Sequence, residues 1–209
     1  MVVCVRASQC VGCRGFPCRD VDSKCYVVPD VELDPEEIKV VMISEAAPPV
    51  RRDYYYDASG DSVFQKTTLQ AFEDAGLKAG SIWDLVEKGV YFTTAVKCGK
   101  TGYGVSAASI QECSKILEAE LRLFPGALVY LLMGDVAIKA LNYISKRSIG
   151  KYAVPSGSTY KIRKGEYFFG DKRVYPSYLQ AGPAFFIEKS KRRMIAEDIR
   201  NALNVSGLS

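Results

Sequence analysis

Three short apolar, β-branched runs constrain this chain more than anything else in it: residues 38–44 (IKVVMIS), 90–96 (VYFTTAV) and 127–133 (ALVYLLM). Runs of this length with so little polar alternation form strands buried on both faces, as in sheets covered by helices on either side. The stretches between them carry the helical period. Within residues 62–75, Val63, Phe64, Leu69, Phe72 and Ala75 recur at helical spacing, and Gly76 supplies the stop. Residues 106–124 read as a long amphipathic helix closed by Pro125 and Gly126, residues 135–144 as a helix after Gly134, and residues 187–203 as the last one. The polar stretch 146–170 is expected to hold a hairpin, and residues 173–175 a short last strand. Strands alternating with helices imply a mostly parallel sheet that binds its ligand at the carboxyl ends of the strands. Function is therefore expected in the loops 44–64, 94–104, 133–135 and 175–182.

The length of 209 residues suits one core and one domain over residues 1–209. The apolar runs fall far below the roughly 20 residues that span a bilayer, and the first residues hold no continuous signal core, so a cytoplasmic protein is expected. A formal charge of +4 permits a phosphate-binding face without requiring one. The chain has seven cysteines and no histidine. In a reducing compartment an odd set of cysteines points to metal ligation rather than disulfides. The missing histidine removes Ser-His-Asp and Cys-His catalysis, and with them the usual catalytic zinc sites.

Five of the cysteines fall in residues 1–36, an irregular segment that needs a staple to be ordered. Cys10 and Cys13 form a CxxC, Cys98 follows the second strand, and Cys113 lies in the next helix, so the four can converge on one point. Four thiolates there hold either a 4Fe-4S cluster or a structural zinc. Cys18 competes for a place in the N-terminal pair, Cys98 and Cys113 have the bland alternative of buried small hydrophobes, and Cys4 and Cys25 look like bystanders.

Several segments, in order along nearly the whole chain, resemble the iron-sulfur uracil-DNA glycosylases often called family 4. Residues 90–98 (VYFTTAVKC) are similar to that family's strand ending in NVVKC, residues 110–113 (IQEC) to its next ligand segment, and residues 128–137 (LVYLLMGDVA) to its strand-glycine-helix unit. Residues 175–179 (YPSYL) look like its HPSYL loop, and residues 193–199 (RMIAEDI within it) like its terminal helix. The resemblance implies a three-layer α/β/α sandwich with a central, mostly parallel four-stranded sheet, a 4Fe-4S cluster on Cys10, Cys13, Cys98 and Cys113, and DNA as the partner of a monomer.

The implied activity is base excision: a deaminated or damaged base, uracil by default, is flipped from the helix and its N-glycosidic bond hydrolysed. The segment SEAAPP resembles the family's loop of Gly, Glu, Ala or Gly, Pro and Gly, which makes Glu45 the carboxylate that orients water or offsets charge on the sugar. Phe64 falls at the stacking aromatic, and Ser44, Ala46 and Ser177 are carried over as base contacts. Two departures matter. Thr94 stands where the family reads the base with asparagine, and Tyr175 where it has histidine, so neither offers its predecessor's chemistry. Arg51, Arg52 and the run Tyr54, Tyr55 and Tyr56 suggest phosphate contact with base stacking, and Tyr178, Leu179 and Gln180 a wedge in the duplex. Lys189, Lys191, Arg192 and Arg193 form a further basic cluster. The competing expectation is an iron-sulfur nucleic-acid-binding protein of the same fold that has lost the reaction.

Overall fold

The computed structural model describes residues 4–182 and 184–208. An N-terminal segment holds β1 (Val5–Arg6), α1 (Ala7–Cys10), β2 (Val21–Asp22) and β3 (Glu32–Leu33). There follow β4 (Val40–Ala47), α2 (Val63–Asp74), α3 (Ile82–Glu87), β5 (Val90–Lys100), α4 (Ala107–Leu121), β6 (Val129–Met133) and α5 (Asp135–Ile149). The chain ends with α6 (Thr159–Ile162), β7 (Tyr167–Phe169), β8 (Lys172–Ser177), α7 (Ala184–Ile187) and α8 (Lys189–Ser206). Among the described residues no helix is long and apolar enough to cross a membrane.

The main sheet has the order β2-β5-β4-β6-β8-β7. Its interior is the expected parallel set of four, with β4 between β5 and β6 and with β8 beside β6. The sheet is six-stranded rather than four-stranded, because β2 and β7 add antiparallel edges of two and three residues. Strands so short carry no readable alternation. Helices α2 and α8 cover one face, and α4 and α5 the other. Val41, Met42 and Ile43 of β4 are sealed between the two layers.

Local chemistry sets the helix boundaries. Ser62 caps α2 by accepting from Gln65 N at 3.1 Å, and Ser106 caps α4 by accepting from Ser109 N at 3.2 Å. Helix α3, which the sequence reading missed, is capped in the same way by Ser81. Helix α5 runs one turn beyond the expected end, to Gly150 in the left-handed conformation. The hairpin lies later than expected: it is β7 with the last strand β8, turning at Gly170 (φ +64°), while the stretch 146–170 otherwise holds the end of α5, α6 and loop.

The run Tyr54, Tyr55 and Tyr56 departs from expectation. These rings do not stand at a pocket mouth; Tyr54 and Tyr55 are buried, with Tyr55 packed 5.1 Å from Phe64 and 5.4 Å from Phe92. The Tyr56 hydroxyl accepts a hydrogen bond from Phe92 N at 3.0 Å, so it covers the edge of β5 where no strand pairs. Further along that edge the N-terminal segment takes over. Val27 N donates to Lys97 O at 2.8 Å, and Val21 and Asp22 pair with Lys100 and Gly99.

Candidate active site and cysteine cavity

At the carboxyl ends of β4 and β5, Ser44 lies beside Thr94 in register. Ser44 Oγ hydrogen-bonds the Tyr55 hydroxyl. Gln180 Nε2 lies 2.8 Å from the Tyr55 hydroxyl, 3.1 Å from Ser44 Oγ and 3.3 Å from Thr68 Oγ1. Burial pushes the Tyr55 phenol up to about 12, opposed by its bonds to Ser44, Gln180 and Thr68, so it stays a neutral donor. Phe64, half-buried at the start of α2, packs on Tyr54 and Tyr55. Thr94 Oγ1 is buried with no partner among the described residues, and such an orphan costs about 1–3 kcal/mol.

The structure thus brings Ser44, Phe64 and Thr94 into one neighbourhood and adds Gln180, which the sequence reading had put on a wedge. Gln180 is 0 % exposed and its amide is committed to the polar group just described, so it does not project toward DNA in this conformation. Tyr178 and Leu179 remain half-buried at the surface, the former with Lys191 Nζ 5.7 Å from its ring.

Successive residues of a strand face opposite ways, so Glu45 leaves β4 on the other side from Ser44. Its carboxylate lies over Gly134, where an added Cβ would come within 2.6 Å of Oε1. Oε1 accepts from Val136 N at 3.5 Å in the first turn of α5, and Lys100 Nζ stands 3.7 Å from Oε2. A helix amino end and an ammonium both attract a carboxylate, and together they fix its direction. The side chain is 16 % exposed and so within reach of solvent. Ala46, its neighbour on β4, is buried.

Tyr175 and Ser177 sit elsewhere. Tyr175 stacks with the Arg173 guanidinium at 4.8 Å and lines a cavity of about 380 Å³ with Arg163, Arg173 and Asp198. Ser177 is buried and donates to Asp198 Oδ2 at 2.6 Å. Arg51 and Arg52 are exposed in a single turn beyond β4. In the basic cluster, Arg192 is committed to Asp74 of α2, and Lys191 to Glu188 at 2.8 Å, which leaves Lys189 and Arg193 along the groove beside α8.

Five cysteines line a second cavity of about 640 Å³: Cys10, Cys13 and Cys18 from the N-terminal segment, Cys98 from β5 and Cys113 from α4. Burial pushes the Cys98 thiol up to about 12 and the Cys113 thiol up to about 11. Lys97 N lies 3.2 Å from Cys113 Sγ, and Tyr26 accepts from Cys13 N at 3.0 Å. Among the described residues no three cysteine or carboxylate side chains meet at an ion-sized point. Cys4 is exposed, and Cys25 bonds Pro49 O at 3.0 Å.

Beside this cavity lies a pair that sequence reasoning overlooked. Lys97 and Glu120 are both wholly buried and bonded to each other. Thr93 Oγ1 lies 2.6 Å from Lys97 Nζ, while Tyr91 and Thr93 each donate to Glu120 Oε1 at 2.8 Å. The only signal was a lysine placed inside a strand with no exposed face.

Residues 31–197 match the model of the uracil DNA glycosylase superfamily, and the chain belongs to that superfamily. It is also similar to a type-5 uracil-DNA glycosylase of Thermus thermophilus, with 28 % identity over 127 residues, 60 % of this chain and 54 % of the relative. The match spans about half the length of that curated relative. Membership is fixed at the level of the superfamily, and the resemblance to family 4 is not singled out within it.

Proposed function

We propose that the protein is a DNA glycosylase that excises a deaminated or damaged base, uracil by default, and that it carries a structural 4Fe-4S cluster. The observation that carries the catalytic reading is the polar group at the ends of β4 and β5, where Ser44, Thr94 and Phe64 stand on one face and Glu45 on the other. In this reading Phe64 stacks on the flipped base, and Ser44 and Thr94 meet its polar edge, with the orphaned Thr94 hydroxyl gaining a partner. Glu45, held over α5, orients the water that adds to the sugar C1′ while the bond to the base breaks and the base takes up a proton. Because Ser44, Thr94 and Gln180 have no exposed surface, the base enters only as the loop after β8 withdraws Gln180.

Supporting the cluster is the spread of five cysteines around one cavity, which suits a polynuclear body better than a single zinc ion. Cys98 and Cys113 would hold it from the sheet side, with Cys10 and Cys13, or Cys18 in place of one of them, from the other. When bound it supplies a cross-link between the N-terminal segment and β5.

The closed polar group also favours a second reading, a nucleic-acid-binding protein without the reaction. One assay separates them: alkaline cleavage of labelled single- and double-stranded DNA carrying uracil, hypoxanthine, xanthine or a normal base, with Glu45→Ala beside the wild type. The glycosylase reading expects cleavage at one base and a loss of at least about a hundredfold in the variant. Salt-sensitive binding of every substrate without cleavage identifies the second.

A further inference from the structure

With Tyr54, Tyr55 and Tyr56 packed into the fold, a different aromatic stands exposed just beyond the end of β5. Tyr103 has 106 % relative exposure, the highest of the large apolar side chains among the described residues. One exposed ring is ordinary on a protein surface. Three further features set this one apart.

The first is its mounting. The loop between β5 and α4 is stapled at its base by Asp20: Thr101 Oγ1 donates to Asp20 O at 2.9 Å, Ser106 N donates to Oδ2 at 2.7 Å, and the Ser109 hydroxyl bonds Oδ1. The hydroxyl of Ser109 and the amide of Ser106 hold the Asp20 carboxyl below the usual carboxylate range. The staple fixes both ends and leaves Tyr103 at the tip.

Its flanks are the second. Gly102 and Gly104 sit on either side, yet an added Cβ at either meets nothing within 4 Å, and neither backbone is left-handed. Neither conformation nor crowding inside this chain calls for glycine there. A bare backbone on both sides of a ring lets a body outside the chain come close.

Position is the third. Lys100, which faces Glu45, precedes Tyr103 by three residues, a reach of at most about 10 Å. Arg19, the residue before the Asp20 staple, is exposed, as are Arg51 and Arg52. The strand end that leads to those arginines packs close, with Pro48 O 3.2 Å from an added Cβ at Gly99. An aromatic among cations at the carboxyl end of the sheet suits a nucleic-acid strand, with phosphates on the cations and a base on the ring.

We propose that Tyr103 stacks on a base of the bound DNA strand next to the excised position. The inference rests on DNA being the partner, as argued above. It is tested with full-length wild type, Tyr103→Ala and Tyr103→Phe, by fluorescence anisotropy on labelled DNA and by quenching of 2-aminopurine placed beside the target base. Tyr103→Ala should weaken binding by about tenfold or more and abolish the quenching, while Tyr103→Phe keeps both. The salt slope of binding should be equal in all three, since the ring touches no phosphate. Unchanged affinity and quenching in Tyr103→Ala overturns the stacking role and points the loop to a protein partner instead. Failure of the wild type to bind any DNA overturns the DNA reading and this inference together.

Discussion

Gln180 and Asp198 are buried polar side chains whose partners come from elements far away in the chain. Glu45, Phe64 and Thr94 could be singled out because SEAAPP, the start of α2 and VYFTTAVKC resemble segments of family 4. Gln180 could not be placed, since nothing in YPSYLQ says that a side chain after β8 turns inward to reach Ser44, 136 residues earlier. Asp198 is a similar case. Burial pushes its carboxyl up to about 6, against the pull of its bonds to Arg163 and Ser177, whereas in the unfolded chain it titrates near 3.9, about the usual value. The folded state therefore favours the proton, and this contribution to stability is complete below about pH 4 and lost as pH rises through about 6. Asp198→Asn should flatten that part of the melting curve against pH while lowering stability throughout, because the buried Arg163 loses its bidentate partner. A melting series from about pH 4 to about pH 7 checks both, and a slope equal to that of the wild type would contradict the assignment.

Among the elements, the four inner strands and the long helices announced themselves through period and capping, whereas β2, β7 and α3 are too short to show one. The tyrosine run illustrates a different limit. Aromatic residues in a loop with arginines read as a nucleic-acid surface, yet the open edge of β5 has unpaired backbone groups that must be met. Tyr56 meets one of them, at Phe92 N. Tyr56→Phe keeps the ring and deletes the acceptor, so it should cost about 1–3 kcal/mol in denaturant unfolding with little change in the slope. Tyr103, three residues beyond the end of β5, has no such duty in the fold.

For the molecule as a whole, the cysteine cavity lies between the N-terminal segment and the sheet, which Val21, Val28, Val31 and Leu33 also join through the apolar core. If the proposed cluster is structural, Cys98→Ala and Cys113→Ala should cost folding before chemistry: colourless protein, a lower melting temperature and a protease-sensitive N-terminal segment. Soluble, fully active protein without visible absorption from either variant would overturn the structural role. The seam has one more consequence. Val21, Asp22 and Val27 are what occupy the outer side of β5 from Lys97 to Lys100. With the proposed cluster bound, an oxidant that strips its iron would loosen that cover and bare a ledge of unpaired amides and carbonyls, the template on which a second copy adds its own strand. Damaged copies would then clump and leave solution, so light scattering should rise as the brown colour fades.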